Sequence, residues 1–257
     1  MLATIDIGNS TINIGYFLDS GLLVQKIATS PLRSADEYSR LMLDFFGENH
    51  IEKTFFSCII SSVVTSHTLV FRDAVADLSE NKDNNILVLN HRMDTGLKLK
   101  VRVPEELGTD RLANAAGAYA LYRAPVAVID FGTATSITVV GINGDLIGGA
   151  IMPGVDLMND MLAQGTSKLN KVPLEQPGPA LGTDTAGCVR SGLLIGTAGA
   201  VERILDEIER ETGYEFRLVI TGGYAHFMDP LVKRPHELNL FLTHEGLKRI
   251  YAANRHA

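Results

Sequence analysis

Hydrophobic and polar residues alternate along the first 28 residues in three short runs, and this alternation predicts a β-meander. The runs read LATID, INIGYFL and LLVQKIA, with a turn at Asp19-Ser20-Gly21 between the second and the third. Apolar residues then recur at helical spacing from a capping-box pair, Ser34 and Glu37, to Gly47. Later segments predict a strand at 55–60, a helix at 66–78 and a strand at 86–89. The first half of the chain therefore has the predicted order βββαβαβ.

The second half repeats this order after a predicted helix at 111–122. Its predicted strands lie at 126–129, 136–140, 146–152 and 217–220, and its predicted helices lie at 155–164, 189–210 and 245–253. Three strands followed by helices and strands in each half indicate a duplicated α/β fold. We therefore expect two domains, residues 1–118 and residues 119–257.

The same short motif closes the first predicted strand of each half. IDIGNST begins at Ile5 and IDFGTAT begins at Ile129, so that Asp6 and Asp130 are 124 residues apart. Glycine lets the backbone approach an anion, hydroxyl and amide groups can bind phosphate oxygens, and aspartate can hold a hydrated metal ion. A single turn of this kind is often only a β-turn with an Asx hydrogen bond. The repeat favours two turns that grip a nucleoside triphosphate from both sides, and the absence of GxxxxGK[ST] excludes a P-loop.

A third candidate is the pair Asp110 and Arg111 in the segment PEELGTDRLANAAGAYA. An aspartate at a helix start commonly serves only as an N-cap. A carboxylate that can take a hydroxyl proton, beside a cation that can bind a carboxylate or phosphate, also suits phosphoryl transfer to an alcohol. The adjacent Arg111 favours the catalytic interpretation.

Composition and charge narrow the function classes. The net charge of −7 over 257 residues, with no basic stretch, argues against nucleic-acid binding. Only Cys58 and Cys188 occur, outside any CxxC motif, which favours a reducing, cytoplasmic location, and the histidines lack metal-ligand spacing. No apolar run approaches the roughly 20 residues of a membrane helix, and the amino terminus lacks the basic segment of a signal peptide.

Glycine-rich segments are further candidates for ligand binding or close packing. ITGGYA and GGAIMPG admit close approach of a ligand or of backbone, although both are also typical of ordinary turns at strand ends. The predicted helix at 189–210 contains Gly192, Gly196 and Gly199, and each glycine lowers helix stability by up to about 1 kcal/mol relative to alanine. We expect these glycines to allow close helix packing, within the chain or between subunits.

Six motifs, in this order, closely resemble those of the bacterial type III pantothenate kinases: IDIGNSTIN, ELGTDRLANA, IDFGTATSI, GGAIMPG, GTDTAGCVRSG and ITGGYA. The resemblance covers essentially the whole chain, to the closing LTHEGLKRIYAAN. It implies the duplicated ribonuclease-H-like fold of the acetate kinase, sugar kinase, Hsp70 and actin superfamily, with two βββαβα-type domains and an interdomain cleft. It also implies a homodimer that phosphorylates the 4′-hydroxyl of pantothenate with ATP, the first step of coenzyme A synthesis.

The resemblance also implies roles for individual residues. Asp110 would be the catalytic base, and Asp130 would hold a monovalent cation, potassium or ammonium. Asp6 would hold the magnesium ion of ATP through water, and Thr133 would touch ATP. The residues implied to bind the ATP phosphates are Asp6, Ile7, Gly8, Asn9, Ser10, Thr11, Ile12 and Asn13. The residues implied to bind pantothenate are Gly108, Thr109, Asp110, Arg111 and Thr185.

The sequence departs from the family pattern around the implied pantothenate pocket. Val101-Arg102-Val103-Pro104 stands where the family has Tyr-Asp-Asn-Pro, and Leu169-Asn170 stands where it has Leu-Pro. Gly187-Cys188-Val189-Arg190-Ser191-Gly192 replaces a segment that commonly reads Ala-Met-Gln-Ser-Gly. Two rival interpretations stay open: a kinase of the same superfamily for another small alcohol, and a non-catalytic transcriptional regulator such as the Baf homologues. The intact aspartates of the motifs and the acidic net charge favour an enzyme.

Overall fold

The computed structural model describes residues 1–52, 57–78, 86–123, 125–176 and 178–255. The chain forms two compact units. The first unit contains Met1–Gly96, Val103–Gly117 and Thr243–Ala257, and the second contains Leu97–Arg102 and Ala118–Leu242. The chain therefore returns to the first unit at its carboxyl end.

The elements follow in chain order. The strands are β1 (Leu2–Ile7), β2 (Thr11–Leu18), β3 (Gly21–Ala28), β4 (Ser57–Ser62), β5 (Ile86–Val88), β6 (Lys98–Leu99), β7 (Val126–Phe131), β8 (Ala134–Val140), β9 (Asp145–Pro153), β10 (Arg217–Thr221) and β11 (His236–Leu238). The helices are α1 (Ala35–Glu48), α2 (Thr65–Leu78), α3 (Thr109–Tyr122), α4 (Val155–Gly165), α5 (Thr185–Thr212), α6 (Ala225–Met228) and α7 (Leu242–Asn254). Short 3₁₀ helices lie at Pro104–Glu106 and Asp229–Leu231.

The sheet of the first unit has the strand order β3-β2-β1-β4-β5. Strands β1 to β3 pair antiparallel, whereas β4 runs parallel to β1 and β5 runs parallel to β4. The meander predicted from the alternating pattern is therefore confirmed. The predicted strand at 55–60 corresponds to β4, and Phe55 and Phe56 lie outside the described residues.

The sheet of the second unit has the strand order β11-β10-β7-β8-β9-β6. Strands β7 to β9 again pair antiparallel, and β10 and β11 continue the sheet in parallel from β7. Apart from the short strand β6 at the edge, this order repeats that of the first unit. The duplication predicted from the repeated motif is thus present in the topology of both sheets.

The two faces of β1 serve different neighbours, because successive side chains of a strand point to opposite sides. Ile5 and Ile7 are fully buried in an apolar cluster with side chains of α1 and α2, including Tyr38 and Phe71. The alternate residue Thr4 is also fully buried, and its Oγ1 lies 2.8 Å from Nδ1 of His244 in α7. Helices therefore contact the sheet of the first unit on both faces, and Asp6 lies on the same face as Thr4.

Local capping sets the ends of two helices. The capping box predicted at the start of α1 is confirmed, since Ser34 Oγ accepts the Glu37 N–H and Glu37 Oε2 accepts the Ser34 N–H. The hydrogen bonds from Ser34 lower the pKa of the Glu37 carboxyl. Helix α5 is longer than predicted because Asp184 caps the Gly187 N–H at 2.7 Å and Gly213, at φ 70°, ends the helix.

Three glycines of α5 have no close neighbour from another element in the described part of the chain. Among the described residues, nothing lies within 4 Å of a Cβ placed on Gly192, Gly196 or Gly199. Close helix packing occurs instead at Gly246 of α7, where a Cβ would lie 1.9 Å from the Ala113 carbonyl oxygen of α3. No helix in the described part of the chain is long and apolar enough to cross a membrane.

Candidate active site

The turn between β1 and β2 is the first predicted phosphate-binding segment. The Gly8 N–H donates to the Thr11 carbonyl at 3.0 Å. Thr29, which directly follows β3, donates its hydroxyl to the Gly8 carbonyl at 2.8 Å and its N–H to the Ser10 carbonyl at 3.1 Å. Asn9 and Ser10 are exposed. The turn is therefore fixed on its buried side, while its tip faces solvent.

Asp6 lies near the carboxyl end of β1, between β2 and β4. The strand register pairs it with Asn13 of β2 and with Ser61 of β4. The hydroxyl of the fully buried Ser61 lies 3.2 Å from Asp6 Oδ1 and 3.0 Å from Thr109 Oγ1. Thr109 Oγ1 also accepts the Ser62 N–H at 3.0 Å. One buried hydroxyl thus connects the aspartate of the first motif to the first residue of α3.

Asp110 and Arg111 lie in the first turn of α3, and both are partly buried. Asp110 Oδ1 accepts the Arg111 N–H at 2.7 Å. A Cβ on Gly108 would lie 2.5 Å from the same oxygen, so the absence of a side chain there lets the carboxylate fold back over the preceding backbone. Burial lowers the pKa of the Arg111 guanidinium, and the charge of Asp110 opposes that shift. Because arginine stays charged in proteins, this helix start presents a carboxylate and a cation.

The turn between β7 and β8 is the second predicted phosphate-binding segment. Gly154, which directly follows β9, donates its N–H to the Thr133 carbonyl at 3.0 Å. A Cβ on Gly154 would lie 2.3 Å from the Gly132 carbonyl oxygen and 2.4 Å from that of Thr133. Thr133 is exposed. This turn is packed so tightly against residue 154 that only glycine fits there.

Asp130 lies near the carboxyl end of β7, opposite Ser136 of β8 and Thr221 of β10. Glycines border its carboxylate. A Cβ on Gly222, which has φ +103°, would lie 2.4 Å from Asp130 Oδ1, and a Cβ on Gly132 would lie 3.3 Å from the same oxygen. The carboxylate therefore lies against backbone on two sides, at positions where a side chain larger than that of glycine would collide with it.

Thr185 begins α5 and lines an open groove of about 650 Å³ in the second unit. The groove has an apolar part from α4, α5 and the segment between them, and a polar edge at the start of α5. Its lining residues are Leu162, Leu169, Gly182, Thr183, Asp184, Thr185, Cys188, Val189, Gly192 and Leu193. The groove can accept a small molecule with an apolar body and polar ends.

The sequence-predicted residues thus fall into three local groups. The first is the turn at 8–11 with Asp6 and residues 108–111, the second is Asp130 with Thr133, and the third is Thr185 in its groove. Ile7 and Ile12 have fully buried side chains and can offer a ligand only their backbone. Within the described ranges, no group of three or more His, Cys, Asp or Glu side chains could hold a metal ion.

Two residues that sequence reasoning missed complete the first group, Ser61 and Thr29. Ser61 follows the apolar run CII at the end of a strand, which is the same signal that singled out Asp6. Thr29 follows the third run of the meander and carries no such signal. Both act through hydrogen bonds to distant segments, which are set by strand pairing and not by local sequence.

A family model and a relative similar over its full length carry the same description. The family model described as type III pantothenate kinase matches residues 2–207. A type III pantothenate kinase of Roseiflexus sp. (strain RS-1) is 37% identical over 257 residues, covering 99% of this chain and 100% of that protein.

Solved structures agree with the predicted fold. A structure described as a Baf family transcriptional activator from Campylobacter jejuni superposes with a TM-score of 0.63 at 19% identity, covering 99% of this chain and 100% of that one. The (R)-2-hydroxyglutaryl-CoA dehydratase component A of Acidaminococcus fermentans superposes with a TM-score of 0.53 at 14% identity, covering 100% of this chain and 98% of that one. These likenesses and the repeated strand order confirm the duplicated ribonuclease-H-like fold. Because the family model matches most of the chain and the Roseiflexus relative covers 99% of it, the chain belongs to the type III pantothenate kinase family.

Proposed function

We propose that this chain transfers the terminal phosphoryl group of ATP to the 4′-hydroxyl of pantothenate, in the cytoplasm, as the first step of coenzyme A synthesis. The observation that carries the proposal is the connection from Asp6 through the Ser61 hydroxyl to Thr109. It joins the aspartate of a phosphate-binding turn to the helix start that bears Asp110 and Arg111. Hydrogen bonds thereby link the proposed phosphate-binding turn to the helix start that bears the candidate base, within the first unit.

In this proposal Asp110 is the catalytic residue. Its Oδ1 is held by the Arg111 N–H, which leaves Oδ2 to accept the proton of the substrate hydroxyl. The hydroxyl oxygen bonds to the terminal phosphorus of ATP while the bond from that phosphorus to the bridging oxygen breaks, and ADP leaves. Arg111 binds the carboxylate of pantothenate or the charge that develops during transfer. Gly108 and Thr109 line the same helix start, and Thr185 is a further proposed contact for pantothenate. Removal of the proton by a positioned carboxylate typically raises the rate by about 10²–10⁴-fold.

The two turns and their aspartates suit phosphate and cation binding. The exposed tip at Asn9 and Ser10 offers N–H and hydroxyl donors to phosphate oxygens, and Thr133 offers another hydroxyl. Asp6 fits magnesium, because it is a hard oxygen donor at a partly exposed strand end, and Asp130 fits a monovalent cation, because its carboxylate is bordered by glycine backbone. When bound, these cations would neutralise phosphate charge.

We also propose that the chain is a homodimer. Gly192, Gly196 and Gly199 form an exposed row on α5, with open space around them among the described residues. Glycines allow two helices to approach closely, so this row is a suitable contact for a second copy. Light scattering on the purified protein at several concentrations measures the dimer directly.

The proposed reaction is tested by coupling ADP formation to NADH oxidation, with and without pantothenate and with and without potassium. The purified chain is expected to consume ATP only when pantothenate is present. Asp110→Asn should lower kcat by about 10²–10⁴-fold while ATP binding, measured by calorimetry, is retained. Near-normal turnover of the folded variant would remove Asp110 from its role.

Asp36→Asn is a matched control, because Asp36 is the second residue of α1 as Asp110 is the second residue of α3. It should leave kcat unchanged. Small alcohols other than pantothenate, assayed in the same way, address the rival acceptor. If ATP is consumed with another alcohol but not with pantothenate, that alcohol is the acceptor. If no acceptor supports ATP consumption, the result favours a non-catalytic regulator.

A further inference from the structure

We propose that Thr29 is a positioning residue that keeps the Gly8 to Thr11 turn open for the phosphates of a nucleoside triphosphate. The proposal rests on the proposed function, since it concerns the first phosphate turn. Thr29 is only 3% exposed and touches the turn from its buried side, so it acts through the turn and not by contact with the ligand.

The hairpin is closed by one hydrogen bond where a regular two-residue hairpin has two. Opposite residues of a hydrogen-bonded antiparallel pair exchange both N–H to carbonyl bonds. Here the Gly8 N–H donates to the Thr11 carbonyl at 3.0 Å, but within residues 1–52 no bond runs back from the Thr11 N–H to the Gly8 carbonyl. The Thr29 hydroxyl holds that carbonyl instead, at 2.8 Å.

Because peptide groups are planar, the hydrogen bonds from Thr29 also set the direction of two N–H groups of the turn. The carbonyl of one residue and the N–H of the next point in opposite directions across a trans peptide. Thr29 holds the carbonyls of Gly8 and Ser10, so the N–H groups of Asn9 and Thr11 both point away from it. Backbone N–H groups on one side of a turn can bind an anion, and the tip of this turn is exposed.

Thr29 is itself held in place. Its carbonyl lies 2.9 Å from Nε2 of His67, a buried residue of α2 whose Nδ1 lies 3.2 Å from the Ser66 hydroxyl. The hydroxyl, the N–H and the carbonyl of Thr29 are thus all bonded. A buried polar group that loses its partner is costly, which makes this arrangement stiff.

Replacement of Thr29 by valine removes the hydroxyl with little change of volume. The Gly8 carbonyl is then available to the Thr11 N–H, and the second hairpin bond can form. The bond from the Thr11 N–H to the Gly8 carbonyl would then replace the bond from the Thr29 hydroxyl. The Thr11 N–H would no longer be available to phosphate. We therefore expect Thr29→Val to weaken ATP binding about tenfold and to change the melting temperature little.

The test measures dissociation constants for magnesium ATP and for adenosine by calorimetry, without pantothenate. Thr29→Val should bind ATP about tenfold more weakly and adenosine as the wild type does, whereas Thr29→Ser, which keeps the hydroxyl, should match the wild type for both. Thr4→Val is the matched control, since Thr4 is a buried threonine of the same sheet whose hydroxyl donates to the Gly15 carbonyl at 3.2 Å. It should leave ATP binding unchanged. In turnover, Thr29→Val should raise the KM for ATP and leave the KM for pantothenate unaltered.

Wild-type ATP affinity in Thr29→Val, an equal loss of adenosine binding, or an equal loss in Thr29→Ser would each overturn the proposal. If Thr29→Val does not fold, Thr29→Ala is measured against the same expectations. The outcomes separate this proposal from the proposed function: a wild type that binds ATP but does not consume it with pantothenate contradicts only the function. Normal turnover of pantothenate with unchanged ATP affinity in Thr29→Val contradicts only the role of Thr29.

Discussion

Thr29 and Gly154 occupy equivalent positions in the two units, and they differ in how they hold a turn. Each directly follows the third strand of a meander and donates its N–H to a carbonyl of the turn between the first two strands. Thr29 adds a hydroxyl bond to the Gly8 carbonyl. At Gly154, a Cβ would already lie 2.3 Å from the carbonyl oxygen of Gly132, the counterpart of Gly8. Each turn accepts a backbone N–H from the residue after the third strand, but one turn also depends on a side chain and the other on the absence of one.

The largest effect is expected from the turn that depends on glycine. Gly154→Ala places a methyl group within 2.4 Å of two carbonyl oxygens, so the backbone of the second turn must move. A displacement of about 1 Å near reacting groups can cost on the order of 100-fold in rate. We expect kcat/KM to fall by about 100-fold, as measured by the coupled ADP assay.

The control for that variant is Gly165→Ala. Gly165 is the last residue of α4, and among the described residues nothing lies within 4 Å of an added Cβ. Its kcat/KM should stay within twofold of the wild type. If Gly154→Ala were folded and equally active, tight packing of the second turn would not matter for catalysis.

Acidity should destabilise the first unit, because this unit contains the buried His244. Burial, with a smaller contribution from the charge of Lys26, lowers the pKa of His244 from 6.5 to about 4. Between pH 6.5 and pH 4 the ring of His244 is therefore protonated in the unfolded chain but neutral in the folded chain. The stability associated with neutral His244 is fully present above pH 6.5 and is lost as the pH falls toward 4. The free energy of unfolding should fall by about 2 kcal/mol from this residue between pH 7 and pH 5.

Urea denaturation at pH 7, 6 and 5 measures this loss. His244→Gln removes the titrating ring, so its free energy of unfolding should depend less on pH than that of the wild type, whatever its stability at pH 7. Because other titrating groups are common to both proteins, the difference between their slopes isolates His244. Parallel slopes would show that His244 is protonated as easily in the folded chain as in the unfolded one.

Much of the first turn could be predicted from sequence, and its support could not. Asp6 and Asp130 were recognisable because each carries a charge at the end of an apolar strand and each is followed by glycine. Ser61 acquires its role only because β4 pairs in parallel with β1, which brings it opposite a residue 55 positions earlier. Thr29 depends in the same way on the pairing of β3 with β2. Alternation along the chain predicts strands and faces but contains no information on which strands become neighbours.

Other parts of the fold escaped prediction for reasons of composition and distance. Strands β6 and β11 read KL and HEL, so neither has the apolar run that marks the equally short β5. The helix α7 was predicted, but its association with the first unit depends on Gly246 lying against Ala113 of α3, far away in the sequence. The glycines of α5 are recognisable in the sequence, but the sequence does not reveal whether anything packs against them.

The proposed division of labour between the two motifs predicts opposite cation phenotypes. Asp6→Asn should raise the magnesium concentration for half-maximal activity about tenfold and leave the potassium requirement unchanged, because it removes a negative charge from the proposed magnesium site. Asp130→Asn should do the reverse. Initial rates measured against each cation, with the other held constant, separate the two variants. A shift in the same requirement for both would mean that the duplicated aspartates have kept one shared role.

The smallest effect is expected from substitution of a glycine that has open space around it. In contrast to Gly154, Gly199 lies in the middle of α5 with open space around it among the described residues. Because glycine lowers helix stability relative to alanine, Gly199→Ala should raise the free energy of unfolding of a monomer by about 0.5–1 kcal/mol. Denaturation in urea, combined with light scattering at the same concentrations, measures both stability and association. A gain in stability without change in mass would mean that residue 199 does not lie at a subunit contact. A weaker dimer would place α5 at that contact, where its glycines, like Gly154 in its turn, are needed for close approach.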